Sequence, residues 1–199
     1  MTISYVLDQK LYLNITNQCP NRCDFCIRTT HDGVGDGEDL WLEREPTLEE
    51  IKADLDTRDL CEYRELVFCG FGEPLCRLDT VKELCRYIRK QSPIDIRINT
   101  NGLSDLINKR STARELDTLA DTLSISLNGA TPESYDKRCH SQFGLEALPA
   151  ILRFTREAVL YIPHVILTVV DTMPKEEIIK CRTLCQTTGA TFRVREYIP

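Results

Sequence analysis

No apolar run in this 199-residue sequence approaches the roughly 20 residues that cross a bilayer. The longer ones, such as residues 165–170 with Thr168 inside, fall far short, so a spanning helix is excluded. There is no excess of positive charge either. Lys and Arg number 25 against 31 Asp and Glu, a net charge of −6. An acidic chain is a poor nonspecific ligand for nucleic acid or a membrane surface. The first ten residues lack a basic stretch followed by an apolar one, so no secretory signal is expected. Ten cysteines in 199 residues are too few for a disulfide scaffold. In a cytoplasmic chain they stay reduced, and clustered ones bind metal or do redox work. Linkers, low-complexity segments and long internal repeats are also missing, and residues 1–199 read as a single domain. With 42% hydrophobic residues the chain has enough apolar side chain for a core, which excludes disorder throughout.

What is present alternates. β-branched apolar runs predict strands at residues 11–16, 65–69, 95–99, 122–127, 164–170 and 191–197. Helical signals lie between them. Thr47 with Glu50 three residues on reads as a capping box that starts a helix to about Cys61. Asp79 caps a second, with Val81, Leu84, Cys85 and Ile88 at helical spacing. Further helices are expected at 113–119, 145–161 and 174–188, the last opened by Pro174 and ended by Gly189. Strand–helix alternation implies a parallel sheet with right-handed crossovers. An eight-unit barrel of about 250 residues spends about 31 per unit. A chain of this length therefore holds about six, and the expected fold is α/β: an open six-stranded parallel (βα)6 partial TIM barrel. Its ligands belong at the carboxyl ends of the strands. Residues 32–39, with Gly33, Gly35 and Gly37, read as a mobile loop.

Directly after the first of these strands comes Thr16-Asn17-Gln18-Cys19-Pro20-Asn21-Arg22-Cys23-Asp24-Phe25-Cys26. Three thiols within eight residues on one loop suit a single metal centre, zinc or iron–sulfur. A four-iron cluster held by three cysteines keeps one iron open for a substrate or cofactor. A structural zinc site with His31 as fourth ligand is the plain alternative.

The Cys-x3-Cys-x2-Cys spacing in this place resembles the signature of the radical SAM superfamily. Phe25 fits the aromatic position before the third cysteine. Gly70-Phe71-Gly72-Glu73-Pro74 after the second expected strand looks like the family's Gly-Gly-Glu-Pro element. Asn99-Thr100-Asn101-Gly102 resembles its Thr-Asn-Gly, and Ser124-Ile125-Ser126-Leu127-Asn128 its ribose-binding strand. The run of residues 16–28 is most similar to the TatD-associated radical SAM proteins.

The resemblance implies an enzyme whose [4Fe–4S] cluster, held by Cys19, Cys23 and Cys26, cleaves S-adenosylmethionine reductively to a 5′-deoxyadenosyl radical. That radical takes hydrogen from a substrate, either a protein or peptide or a small molecule. It implies a flavodoxin- or ferredoxin-like electron donor. Gly70 and Gly72 would let the backbone approach the methionyl part of the cofactor, and Glu73 would meet its ammonium. Period-two alternation places Ser124, Ser126 and Asn128 on one strand face, opposite Ile125 and Leu127. Ser126 and Asn128 would then take the ribose, with Asn99 and Thr100 nearby. In the last strand Arg193 and Arg195 share a face, and Arg195 is the candidate for a carboxylate of cofactor or substrate. Of the remaining cysteines, Cys61, Cys85, Cys181 and Cys185 read as helix positions, most simply as core packing. An auxiliary cluster would have to use Cys139, Cys181 and Cys185. Cys69 and Cys76 flank the glycine motif and are candidates for redox work. The readings without radical chemistry are an iron–sulfur electron carrier and the zinc module.

Overall fold

The structure is a computed structural model, and it describes residues 1–33 and 39–197. Strands β1 (Ser4–Leu7), β2 (Lys10–Leu13), β3 (Glu65–Phe68), β4 (Asp95–Thr100), β5 (Thr122–Ser126), β6 (His164–Val170) and β7 (Thr191–Arg195) form one sheet in sequential order. From β2 onward every neighbouring pair is parallel, while β1 lies antiparallel on β2. All six expected strands are there. The sheet nevertheless has seven strands, which corrects the expectation of six. The extra one is the first of two four-residue strands in a hairpin turned by Asp8 and Gln9, both at positive φ (50° and 61°). Such tight turns are ordinarily announced by Gly or Asn-Gly, and neither is present to signal it. Of the loop expected at 32–39, residues 34–38 lie outside the described residues; Gly33 and Asp39 pair as a single antiparallel bridge.

The helices are α1 (Leu48–Leu55), α2 (Leu78–Gln91), α3 (Ser104–Asn108), α4 (Pro132–Cys139), α5 (Ala147–Ala158) and α6 (Lys175–Gln186). Thr47 caps α1 by accepting from Glu50 N while Glu50 reaches back, as its sequence requires. This helix ends at Leu55, short of Cys61, and a single 3-10 turn at Leu60–Glu62 follows. Asp79 lies in the first turn of α2 and Arg77 takes the cap position. The helix expected at 113–119 is only a 3-10 turn, Ala113–Leu116.

One sheet face is apolar and fully covered. Leu66, Phe68, Ile96, Ile98, Leu123, Ile125 and Leu167 are wholly buried there. They share one core with Ile51 and Leu55 of α1, Val81, Leu84, Cys85 and Ile88 of α2, and Ile151 and Phe154 of α5. The opposite face is polar, and Arg97, Asn99, Ser124 and Ser126 on it are only half-buried. At the amino ends of the strands Glu65 pairs with both Lys10 and Arg97, each at 2.9 Å. The carboxyl ends carry the cysteine loop and the three other motifs.

Candidate functional site

The loop after β2 is tied down on three sides. Toward β3, Glu73 N donates to Gln18 O at 2.7 Å. Within the loop, the Arg28 guanidinium donates to the carbonyls of Asn21 (3.0 Å), Phe71 (3.3 Å) and Asn17 (3.4 Å), bridging the cysteine and glycine segments. Toward α4, Arg22 N donates to Cys139 O at 2.9 Å and Asp24 N to Arg138 O at 3.1 Å. Cys19, Cys23 and Cys26 are free and partly exposed. The Cys19 sulfur accepts from Asn101 Nδ2 at 3.9 Å. Burial pushes the Cys19 thiol up to about 12 and raises Cys26 as well, while Cys23 is raised first by its neighbour Cys139 and then by burial.

Glycine at 70 and 72 is required by the chain's own packing. A Cβ at Gly72 would stand 2.2 Å from Thr16 O and 2.8 Å from Gln18 O; one at Gly70 would stand 2.0 Å from Asn14 Oδ1. The close approach the sequence implies is thus made by the cysteine loop backbone. Glu73 follows, 3% exposed. Its carboxylate accepts from Thr100 Oγ1 (2.7 Å), Asn101 N (2.6 Å) and Leu75 N (3.0 Å). All three bonds favour the ionised form, yet desolvation outweighs them and pushes the carboxyl up to about 7.

The Thr-Asn-Gly motif ends β4 and the serine–asparagine motif ends β5, so both reach the same edge of the sheet. The Oδ1 of Asn99 is buried without a partner. Asn128 sits at φ 45°, 3% exposed, and its Oδ1 is also unpartnered. Two orphaned acceptors at neighbouring strand ends suit the hydroxyl groups of a ligand. Ser126 is half-buried on the polar face. Arg195 closes β7 on the exposed edge, and its charge partly offsets the rise that burial imposes on Cys69. Cys76 is pushed up to about 12, mainly by burial, so it stays protonated near neutral pH. Phe25 packs under the Arg138 guanidinium, 5.2 Å from ring centre to cation.

Several expectations do not come together. Among the described residues no three His, Cys, Asp or Glu side chains converge closely enough to hold a metal ion as the chain stands. The donor set still fits an iron–sulfur cluster in its chemistry, with three free thiols on one anchored loop. His31 is exposed with Nδ1 2.8 Å from the Thr30 hydroxyl. The auxiliary set does not assemble either. Cys181 packs on Met173 Sδ (3.8 Å), Cys185 donates to Ala190 O (3.3 Å), and Cys139 ends α4, where its carbonyl accepts from Arg22 N. Arg28 was not singled out by sequence reasoning, and Cys139 only as a member of the auxiliary set. Arg28 stands two residues after Cys26, which was a usable signal; nothing local marks Cys139.

A parallel α/β sheet with a three-cysteine loop at its carboxyl edge defines a class of cluster-binding proteins. The chain belongs to the radical SAM superfamily, whose family model matches residues 13–184. Members of that superfamily are enzymes that use a [4Fe–4S] cluster and S-adenosylmethionine. A probable GTP 3′,8-cyclase from Methanocaldococcus jannaschii is 32% identical over 131 residues, covering 65% of this chain. The chain spans only 39% of that relative's length. Three solved structures share the fold. A radical SAM methyltransferase from Sphaerobacter thermophilus has TM-score 0.62 at 18% identity, over 97% of this chain and 57% of its own. The hydrogenase maturase HydG from Carboxydothermus hydrogenoformans has TM-score 0.63 at 19% identity, over 96% and 44%. SuiB from Streptococcus suis, bound to S-adenosylmethionine, has TM-score 0.60 at 16% identity, over 94% and 38%.

Proposed function

We propose that this chain is a radical SAM enzyme that abstracts hydrogen from an anionic small-molecule substrate. One observation carries the reading: Glu73 binds Thr100 and Asn101, Asn101 binds Cys19, and Glu73 N binds Gln18 O. Two motifs from two strand ends are thereby locked onto the cysteine loop. When bound at Cys19, Cys23 and Cys26, the cluster supplies the electron that cleaves S-adenosylmethionine to a 5′-deoxyadenosyl radical. The chain's own groups bind and orient. Glu73 gives the cofactor ammonium a counter-charge, and Asn99 and Asn128 offer their orphaned oxygens, with Ser126 beside them, to the ribose.

The substrate class rests on arginine. Arg97 on β4 is held by Glu65 at 2.9 Å and is not free for this role. Arg193 and Arg195 are exposed at the edge, and among the described residues neither has a salt-bridge partner. The relative's name concerns GTP, itself an anion. We read the six parallel strands as an open partial barrel and the TatD-associated group as the nearest subgroup in its motif run. The protein then works in the cytoplasm with a flavodoxin- or ferredoxin-like electron donor. No helix among the described residues is long and apolar enough to cross a membrane.

The test is anaerobic reconstitution followed by dithionite and S-adenosylmethionine, with 5′-deoxyadenosine read by mass spectrometry. Product that vanishes in Cys26→Ala supports the reading. Iron without product indicates an electron carrier, and zinc without iron the structural module. Deuterium passing into 5′-deoxyadenosine from a labelled peptide, and from no labelled anion, would overturn the substrate class.

A further inference from the structure

A cavity of about 400 Å³ lies at the other end of the sheet, at the amino ends of β4 to β7. Folds of this kind carry their catalytic groups at the carboxyl ends, so the fold alone gives no reason for a polar-lined cavity here. Its polar lining follows one row of the sheet. Arg97 on β4 pairs in register with Thr122 on β5, and Thr122 with His164 on β6. Register partners share a face and their strands run about 4.8 Å apart. Val159, Ile162 and Ile166 add apolar lining. No Asp or Glu is among the lining residues.

Arg97 stands oriented. Its Nε donates to Glu65 Oε1 at 2.9 Å, and Lys10 Nζ lies 2.9 Å from Oε2. Two cations on one carboxylate leave one positive charge over. The bond to Glu65 fixes Arg97 at this end of β4, where it serves the cavity rather than the carboxyl edge. Its Nη1 and Nη2 have no hydrogen-bond partner among the described residues. Thr122 is 8% exposed, and its hydroxyl has no partner among them either. Polar groups this sheltered are ordinarily satisfied.

We propose that the cavity is a second ligand site, for a small organic monocarboxylate with an apolar body. Nη1 and Nη2 donate side by side to the two carboxylate oxygens, the geometry a guanidinium suits best. The Thr122 hydroxyl donates to one of the same oxygens, and the apolar body lies against Val159, Ile162 and Ile166. The single spare positive charge matches one carboxylate. A phosphate, carrying nearly two charges at neutral pH, would leave one uncompensated near Glu65. A neutral ligand would leave the guanidinium donors unpaired. The site shares no residue with the cysteine loop or the three other motifs, so it is independent of the functional reading.

The test is an amide NMR titration of the reconstituted full-length protein with benzoate at fixed ionic strength. Benzyl alcohol and inorganic phosphate are the comparison probes. Benzoate is expected to give saturable shifts centred on residues 97, 122, 164 and 191, and the other two probes to give none. Arg97→Lys keeps the charge beside Glu65 and loses the fork, and should weaken benzoate by about tenfold or more. Thr122→Val should weaken it by about 2–10-fold, and decides the matter if the arginine variant fails to fold. Shifts that do not saturate, or that centre on Arg193 and Arg195, overturn the proposal. So does unchanged affinity in a folded Arg97→Lys. Equal binding of benzyl alcohol, or tighter binding of phosphate, would overturn the monocarboxylate class.

Discussion

The Glu73 carboxylate accepts a 2.7 Å hydrogen bond from the Thr100 hydroxyl, joining the segment after β3 to the end of β4. With Asn101 N and Leu75 N it gathers three donors inside the protein, away from water. Glu73 therefore organises the site before any ligand arrives.

Its carboxyl is raised from 4.5 to about 7 by burial. Folding then binds a proton between those values, and stability from this group is full below 4.5 and lost as pH rises to about 7. The size of that loss is ~3 kcal/mol, taking about 1.4 kcal/mol per unit. Denaturant titrations of the cluster-free chain between pH 5 and 8 are expected to show the decline, and Glu73→Gln to flatten it. An equal slope in the variant would assign the pH dependence to other groups. A bound ammonium reverses the balance by favouring the carboxylate, so affinity for S-adenosylhomocysteine is expected to increase from pH 6 to 8 in the reconstituted protein.

Gly72 tests the contact between the glycine and cysteine segments. Its missing Cβ would overlap backbone oxygens of Thr16 and Gln18, neither of which can swing aside as a side chain would. Gly72→Ala is expected to lose about 1–3 kcal/mol, the usual range for overpacking. For a domain of this size each kcal/mol lowers Tm by about 2–4 °C. Iron uptake should fall along with Tm, since the displaced segment leads directly into Cys19. A variant with unchanged Tm and iron would show that the loop yields freely.

Arg28 makes a different demand on the same loop. Its three carbonyl acceptors span residues 17–71, and Arg28→Met keeps the aliphatic stem while removing every donor. Charged hydrogen bonds are worth about 1.5–3 kcal/mol, so the loop should loosen measurably. Amide exchange in residues 17–26 is expected to quicken by at least tenfold while α2 and α5 keep their protection. Uniform quickening would mean that Arg28 supports the whole fold.

The sequence already showed the four motifs in order, because each follows directly on a strand and local spacing carries it. Thr47 and Glu50 similarly announced α1 through a contact three residues apart. What escaped detection was held by distant partners. The strand β1 has four residues and no glycine turn, so its existence depends on β2 beside it. Helix α4 buries only Tyr135 and Cys139, too little apolar pattern for its Thr131 capping box to stand out. The bonds from Arg22 N and Asp24 N to the carbonyls of Cys139 and Arg138 join distant parts of the chain, and no spacing rule reaches that far. Faces were easier than ends: Ile125 is buried and Ser124 and Ser126 half-exposed, as alternation along β5 requires.

Asn128 separates a ligand contact from a structural one. Its Oδ1 is buried and bonded to nothing, so the chain gains no stability from that oxygen. Its backbone stands at φ 45°, in the left-handed region, where Asn is tolerated and Gly is at ease. Asn128→Gly therefore removes the oxygen without straining the turn, whereas Asn128→Ala would confound the two effects. If Oδ1 serves the ribose, the glycine variant should keep its Tm and its iron. Affinity for S-adenosylhomocysteine, followed by calorimetry, should drop by about 2–10-fold, corresponding to one neutral hydrogen bond of about 0.5–1.5 kcal/mol. Unchanged affinity at unchanged Tm would take Asn128 out of the cofactor site. A lost fold would instead show that the amide nitrogen secures the end of β5. Stability and affinity together thus identify which half of the side chain is needed, and for what.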